Sequence, residues 1–319
     1  MEAQLKAFAG QPYGRESLGP DPVNQPMIRH LVEALDDRNP IYVDADAARV
    51  AGHPGVVAPP TSLQVWTMAG LRRRQPAATA ADAHDDTQGT LMSLLDGEGY
   101  VGVVATNCEQ TYPRYLTLGD HLRVSSHLED VSGLKHTALG EGFFVTTKQT
   151  YRDQGGEVVG EMLFRILKYR PGTGRERSAS GTAAASTDKE CQRLPELAIP
   201  LTPTVIVSTA IATRDYQDVH HDKDRAQELG SENIFMNILT TNGFVGRYIT
   251  DWAGPAARLK SVAIRLGAPN YPGDTMTLTG RVTAAENGIT TVAVRGSNRV
   301  GDHVVGTVKL EKQGATSNA

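Results

Sequence analysis

The sequence predicts an α+β protein made of two similar halves, each with a helix followed by an antiparallel sheet. Acidic segments at residues 36–52 and 214–230 share a pattern of aspartate, an aromatic ring, a second acid, Ala and Gly. The matching aspartates, Asp37 and Asp215, lie 178 residues apart, and so do the matching glycines, Gly52 and Gly230. In each half an apolar helical segment follows, and then segments of alternating polarity that are typical of strands.

A second pair of segments supports an internal duplication. The stretch "YLTLGDHLRVSSHLEDVSG" (115–133) resembles "NYPGDTMTLTGRVTAAENG" (270–288), with Asp120 and Asp274 only 154 residues apart. The first half therefore carries about 24 additional residues between the two segments. Residues 76–90, "PAATAADAHDDTQGT", account for most of them, and their small, polar composition predicts poor order.

The boundary between the halves is predicted from composition. Residues 171–193, "PGTGRERSASGTAAASTDKECQR", are rich in Gly, Ser, Ala and Thr and show no apolar periodicity, which is typical of a linker. We predict an N-terminal domain at 1–170, a flexible linker at 171–195 and a C-terminal domain at 196–319.

Each half has one helix candidate after its acidic segment. In "PTSLQVWTMAGLRRR", Thr61 and Gln64 form a capping-box pattern just after Pro59-Pro60. In "NIFMNILTTNGFVGRYITDWAGP", apolar residues recur at three- and four-residue steps until Gly254-Pro255. The second helix is apolar over a wide face, so we expect it to be buried.

Several strand candidates follow each helix, and Asn287-Gly288 predicts a hairpin turn. A buried helix wrapped by a curved antiparallel sheet is the hotdog arrangement. Two copies that join their sheets edge to edge give a double hotdog, which removes one exposed edge from each sheet.

Composition excludes several classes of protein. The net charge is −4 without a basic stripe, which argues against a nucleic-acid partner. The two cysteines have no Cys-x-x-Cys spacing, which argues against a disulfide scaffold or a thiolate zinc site. The first residues lack the apolar core of a signal peptide, and no run approaches the roughly 18 apolar residues of a membrane span. We therefore expect a cytoplasmic protein without a membrane partner.

The run "RDYQDVHHDKDRA" (214–226) is the strongest candidate for chemistry, since it holds four aspartates and two histidines. A metal site at His220-His221-Asp222 is one interpretation, but adjacent side chains point apart and no second cluster accompanies them. We therefore predict no metal. The remaining acids and His221 are expected to be helix caps or solvent-facing groups.

The two acidic segments resemble a known family. The pattern Asp-x-Asn-Pro-x-His followed by an acid and Ala is similar to that of the MaoC-like, hydratase-2 type enoyl-CoA hydratases. The first copy, "DRNPIY", has Tyr42 where the histidine belongs, whereas the second, "DYQDVH", keeps Asp215 and His220 but replaces Asn-Pro with Gln-Asp. More narrowly, the chain resembles the two subunits of bacterial steroid side-chain enoyl-CoA hydratases fused into one.

This resemblance implies a hydro-lyase in which Asp215 and His220 hold the water that adds to an enoyl-CoA, a form of general acid–base catalysis. A helix N-terminus supplies unpaired N–H groups for the thioester oxygen, and the backbone N–H of Asn237 is the predicted donor. Tyr42 keeps its proton near neutral pH and cannot replace an imidazole. We therefore predict that the first half is a binding wall, with Tyr42, Pro59 and Pro60 beside a bulky acyl group such as a steroid. The alternative is that the first half only completes the sheet.

The remaining expectations concern the ligand and partners. Four basic residues, Arg114, Arg258, Lys260 and Arg265, are candidates for contact with the coenzyme A phosphates, and solvation at the surface is the alternative for each. Arg258 and Arg265 are the two that we predict to contact the substrate. No cofactor is expected, because coenzyme A is part of the substrate. A homodimer is the default assembly, and the sequence leaves open whether a pathway aldolase or a lipid-transfer-like partner binds. Alternative functions are an (R)-specific fatty enoyl-CoA hydratase, a non-catalytic acyl-CoA-binding or assembly subunit, and, less favoured, a hotdog thioesterase.

Overall fold

The computed structural model describes residues 1–71, 87–174 and 192–312, and the predicted linker lies largely outside these ranges. The helices are α1 (Glu2–Lys6), α2 (Gln25–Ala34), α3 (Ala45–Val50), α4 (Thr87–Gly97), α5 (Pro203–Ala212), α6 (Lys223–Glu228) and α7 (Ile238–Ala253). Within the described ranges, three 3-10 helices span Pro40–Tyr42, Pro60–Thr67 and Asp218–His220.

All strands of the described ranges belong to one antiparallel sheet. In the first half they are β1 (Ser17–Leu18), β2 (Gly102–Thr111), β3 (Arg123–Val131), β4 (Lys135–His136), β5 (Glu141–Arg152) and β6 (Val158–Tyr169). In the second half they are β7 (Leu197–Pro200), β8 (Arg258–Leu266), β9 (Thr275–Glu286), β10 (Ile289–Asn298) and β11 (Gly301–Glu311). The predicted Asn287-Gly288 hairpin is confirmed, since both residues have positive φ and Glu286 pairs with Ile289.

The strand order shows how the halves are joined. It runs β1-β3-β5-β6-β2 through the first half and β8-β11-β10-β9-β7 through the second. The second half therefore repeats the strand order of the first half in the reverse direction across the sheet. Strands β2 and β8 pair with each other from Asn107↔Arg265 to Thr111↔Ser261. This seam confirms the predicted edge-to-edge joining, which leaves neither strand with an unpaired edge.

The internal repeat is equally clear in the helices. Helices α2, α3 and the 3-10 turn Pro40–Tyr42 recur as α5, α6 and Asp218–His220 at the predicted spacing of 178 residues. Each copy has a residue with positive φ just before its first motif aspartate, Asp36 in one and Arg214 in the other. Because the local backbone is repeated, differences between the copies arise from individual side chains.

Helix α7 forms the centre of the second half. Twelve of its sixteen residues are buried, as the wide apolar face predicts. Asn237 caps its N-terminus by accepting a hydrogen bond from Thr240 N at 2.7 Å, and Gly254, with φ of 85°, ends it. The helix therefore begins at Ile238, later than the apolar pattern suggests.

The corresponding segment of the first half differs from its prediction. Pro60–Thr67 is a 3-10 helix without a side-chain cap, and the Gln64 side-chain oxygen is buried without a partner. The predicted capping box is therefore wrong. Pro59 leads into the segment, and Ser62 N bonds to Pro59 O at 2.9 Å, which is the tighter three-residue turn. The prediction of poor order at 76–90 is wrong for its last four residues, since α4 begins at Thr87.

A close contact between α7 and the Pro60–Thr67 segment predicts a stability effect. A Cβ added at Gly246 of α7 would lie 2.8 Å from Cγ2 and 3.0 Å from Oγ1 of buried Thr61. Overpacking costs about 1–3 kcal/mol, more than the roughly 1 kcal/mol that alanine gains over glycine in a helix. Gly246→Ala is therefore expected to lower the free energy of unfolding in urea. Gly97→Ala in α4 is the control, because its added Cβ meets nothing within 4 Å. Equal stability of the two variants would contradict this packing argument.

Candidate active site

Asp215 is held at the end of α5 by its backbone. Its amide donates to Ala210 O at 3.0 Å, and the preceding residue, Arg214, turns the chain with φ of 59°. The carboxylate is 5% exposed and accepts a bond from Gln217 N at 3.4 Å. The side chain therefore points into the protein rather than into solvent.

His220 lies at the end of the 3-10 turn Asp218–His220 and is also buried. Its Nδ1 lies 2.7 Å from the carbonyl oxygen of Phe235, and the Phe235 ring packs edge-on against the imidazole. A carbonyl can only accept a hydrogen bond, so Nδ1 carries the proton in the neutral ring and Nε2 is left with its lone pair.

The two side chains face each other. His220 Nε2 lies 3.4 Å from Asp215 Oδ2, longer than a typical hydrogen bond between nitrogen and oxygen. Asn237 Nδ2 donates to the same Asp215 oxygen at 3.0 Å, and also to Thr213 Oγ1 at 3.0 Å. The predicted pair is thus brought together at the N-terminus of α7.

Burial controls the charge of the imidazole. Removal from water lowers the pKa of His220, and the Asp215 carboxylate and the Phe235 carbonyl oppose this shift without cancelling it. The ring is therefore neutral near pH 7, with an unprotonated Nε2 directed toward the carboxylate.

The first half has neither the imidazole nor the amide side chain at the positions equivalent to His220 and Asn237. Tyr42 is buried, hydrogen-bonds Thr250, and has a pKa raised well above its usual value by burial and by Asp37. Burial also raises the pKa of Asp37 to about 6. Pro59 stands at the position of Asn237, so no amide side chain is available there to hold the carboxylate.

The other predicted binding residues are spread over the two halves. Pro59 and Pro60 are buried at the start of the 3-10 helix. Arg258 and Arg265 lie on β8 at the seam. Arg258 bonds to Gly52 O of the first half at 2.6 Å, whereas Arg265 is exposed. Their predicted contacts with substrate, and the Asn237 N–H contact, stay predictions.

Three contributors were not predicted from the sequence: the Asn237 side chain, the Phe235 carbonyl and the Thr213 hydroxyl. The Asn237 cap has a sequence signal, since asparagine directly before an apolar helical run is a preferred N-cap. The other two contacts join residues distant along the chain, and no local pattern reports them.

The rest of the acidic run is structural or solvent-facing. Asp222 caps α6 by accepting from Arg225 N at 3.0 Å, and His221 lies 3.8 Å from Asp218. In the ranges that the structure covers, no group of three or more His, Cys, Asp or Glu side chains is arranged to hold a metal ion. Likewise, none of the helices described there is long and apolar enough to cross a membrane.

Solved structures with a similar fold support the double hotdog. A MaoC-like dehydratase aligns with 97% of this chain and all of its own, with a TM-score of 0.74 and 20% identity. A conserved hypothetical protein from Mycobacterium tuberculosis, described as having a double hotdog fold, aligns over 96% of this chain with a TM-score of 0.61 and 15% identity.

Two relatives are much more similar in sequence, and both are from Mycobacterium tuberculosis. The chain is 54% identical over 169 residues to the 3-oxo-4,17-pregnadiene-20-carboxyl-CoA hydratase alpha subunit, covering 53% of this chain and 51% of that one. It is 59% identical over 117 residues to the beta subunit of the same name, covering 37% of this chain and 91% of that one. The chain thus spans about half the length of the alpha subunit and nearly all of the beta subunit.

Family models match both halves. The model for the FAS1-like dehydratase domain region matches residues 7–162, and that for the MaoC-like domain matches residues 185–303, which contain Asp215 and His220. With these matches, the double hotdog and the nearly complete beta-subunit match, the chain belongs to the MaoC-like dehydratase family.

Proposed function

We propose that the protein is an enoyl-CoA hydratase, a hydro-lyase that adds water across the α,β double bond of an acyl-CoA. The observation that carries this proposal is the buried pair of Asp215 Oδ2 and His220 Nε2, 3.4 Å apart at the N-terminus of α7. Its family membership and the hydratase names of its relatives point to the same reaction.

The pair suits the activation of water. One water oxygen at about 2.8 Å from each atom can donate one hydrogen to Asp215 Oδ2 and the other to His220 Nε2. Its lone pair is then free to attack the β-carbon. As that C–O bond forms, one proton passes to the pair and the double-bond electrons move toward the thioester. A proton then returns to the α-carbon, so the product gains one hydroxyl and one hydrogen.

Asn237 positions the carboxylate for this reaction. Its amide nitrogen donates to the Asp215 oxygen that faces His220, while its own oxygen caps α7. The N-terminal end of α7 carries partial positive charge, which stabilises the negative charge that develops on the thioester oxygen. We propose the Asn237 backbone N–H as one donor to that oxygen.

For the substrate, we propose a steroid side-chain enoyl-CoA of steroid or cholesterol degradation. The relatives that support it are hydratase subunits named for a pregnadiene-carboxyl-CoA. In this proposal Tyr42, Pro59 and Pro60 of the first half form a wall for the ring system, and Arg258 and Arg265 contact the coenzyme A portion. A cytoplasmic homodimer that needs no cofactor is part of the same proposal.

Substitutions in the pair test the assignment of catalysis. Asp215→Asn and His220→Ala are each expected to lower the rate of hydration by about 10²–10⁴-fold, the usual contribution of general acid–base groups. The rate is measured from the loss of enoyl-CoA absorbance. Asp37→Asn, the same change at the equivalent position of the first half, is the control and is expected to retain activity. Wild-type rates in either pair variant would overturn the assignment, and inactivity of the wild type would favour a non-catalytic binding subunit.

The protonation state of His220 provides a second test. Because Asp215 raises the pKa of this imidazole, Asp215→Asn is expected to lower it further. In the wild type, the rate should fall as the pH drops through the His220 pKa, since protonated Nε2 cannot accept a proton. NMR titration of the histidine ring measures the shift. Asp218→Asn, an exposed change beside His221, serves as the control. An unchanged or higher His220 pKa in Asp215→Asn would contradict the electrostatic coupling.

A panel of enoyl-CoAs, from crotonyl to steroidal, tests the substrate class. We expect kcat/KM for the steroid substrate to exceed that for crotonyl-CoA by at least about tenfold, corresponding to about 1.4 kcal/mol of additional transition-state binding. Equal values would remove the argument for a ring-binding wall, and a preference for medium linear chains would favour a fatty enoyl-CoA hydratase. Release of free coenzyme A without hydration would indicate a thioesterase.

A further inference from the structure

A cavity of about 160 Å³ lies at the seam between the two halves, apart from the Asp215–His220 pair. Its walls come from the segment after α3, from the loop after β2 and from the start of β8, and they include His53, Tyr115 and Arg258. This volume is several times what one water molecule needs.

The charge of the cavity has one sign. Arg114, Arg258 and Lys260 line it, and none of the lining residues is acidic, although the chain has a net charge of −4. Arg114 is already engaged by Asp120 and Asp153, each at 2.7 Å. Lys260 pairs with Glu311 at 2.8 Å. Arg258 therefore contributes the cation that is not balanced by a carboxylate contact among the ion pairs of the described residues.

Polar atoms of the lining side chains are buried and unused. His53 is 8% exposed, and its Nε2 is buried without a hydrogen-bond partner, as is Nε of Arg258. Such atoms cost about 1–3 kcal/mol each when nothing satisfies them. The Tyr115 hydroxyl accepts a bond from Leu259 N at 2.7 Å, so its own hydrogen is available to a ligand.

Contacts between and within the halves hold the Arg258 and His53 side chains in place. The Arg258 guanidinium bonds to Gly52 O at 2.6 Å, and the His53 ring stacks on Tyr115 with centroids 5.1 Å apart. Burial and the nearby Arg258 lower the pKa of His53, so its ring adds hydrogen-bonding capacity without a second charge. Burial also raises the pKa of Tyr115, which keeps its hydroxyl protonated.

The second half has no matching set of unused atoms. The residues equivalent to His53 and Thr117 are Ser231 and Tyr271, whose hydroxyls lie 3.4 Å apart, and Ser231 also donates to Asn233 O at 2.7 Å. The unused Nε2 of His53 therefore belongs to the first copy alone and is not a general consequence of the fold.

We propose that this seam cavity binds a phosphate group. Phosphate presents several oxygen acceptors around one centre, which suits the Arg258 Nε–H and the Tyr115 O–H, and its oxygens also suit the imidazole of His53. The phosphate can belong to the coenzyme A portion of an acyl-CoA or to a free phosphate ion. Phosphate binding at this cavity can be measured directly and does not require hydratase activity. Only the assignment of the phosphate to coenzyme A rests on the proposed function.

Calorimetric titration with inorganic phosphate at low ionic strength tests the site. Arg258→Gln is expected to weaken binding by at least about tenfold, since it removes a charged donor. His53→Phe keeps a ring against Tyr115 but removes Nε2, and it should weaken binding several-fold. Arg295→Gln, an exposed change that removes one charge from β10, should bind as the wild type does. Circular dichroism establishes whether each variant is folded. If Arg258→Gln does not fold, the affinity of His53→Phe for phosphate tests the proposal instead.

Competition then identifies the source of the phosphate. If coenzyme A displaces inorganic phosphate and pantetheine does not, the cavity accepts a coenzyme A phosphate, and KM of an enoyl-CoA should rise in Arg258→Gln with kcat unchanged. If coenzyme A does not displace it, the cavity is a separate site for free phosphate. Absence of phosphate binding to the wild type would mean that the cavity holds only water. Equal binding by Arg258→Gln, His53→Phe and Arg295→Gln would place the bound phosphate elsewhere. Either of these last two results overturns the proposal.

Discussion

The Asn237 side chain makes the contacts on which the geometry of the candidate active site depends. Its oxygen caps the buried helix α7, and its nitrogen holds Asp215 in place opposite His220. A hydrogen bond to a charged group is worth about 1.5–3 kcal/mol, and the cap adds about 1 kcal/mol to the helix. One residue thus ties the placement of the carboxylate to the core of the second half. Removal of the Asn237 side chain would therefore free both the carboxylate and the helix end of a contact.

The same geometry shows how the two copies differ at the position of this pair. The backbone of the acidic segment is repeated closely, including the positive φ before each motif aspartate. Two side-chain differences separate the first copy from the second. Tyr42 stands in place of the imidazole, and Pro59 stands in place of the cap residue Asn237. Replacing Tyr42 by histidine would restore only one of these features, since proline offers no amide to hold the aspartate.

Much of the fold and the choice of Asp215 and His220 follow from the sequence, because both rest on repetition. A constant spacing of 178 residues predicted the duplication, and comparison of the copies singled out Asp215 and His220, whereas the helices α2, α3, α5 and α6 were not predicted. Sequence patterns failed where tertiary contacts decide. The Thr61–Gln64 spacing predicted a capping box, but Pro59 and Pro60 favour a 3-10 turn in which Gln64 is not a cap. The Phe235 and Thr213 contacts depend on how the chain returns to the site, which no local spacing encodes.

The seam between the halves also brings together residues that are distant along the chain. Pairing of β2 with β8 satisfies the edges of both sheets, and it also brings Gly52 and Arg258, 206 residues apart, into contact. A duplicated chain therefore creates surfaces that neither copy has alone. Ser231 and Tyr271, the second-half equivalents of His53 and Thr117, contact each other through their hydroxyls, whereas His53 of the first half and Arg258 of the second keep unused polar atoms at the seam. Unused buried donors are costly in a folded protein, so a ligand that satisfies them would stabilise the seam as well as bind there.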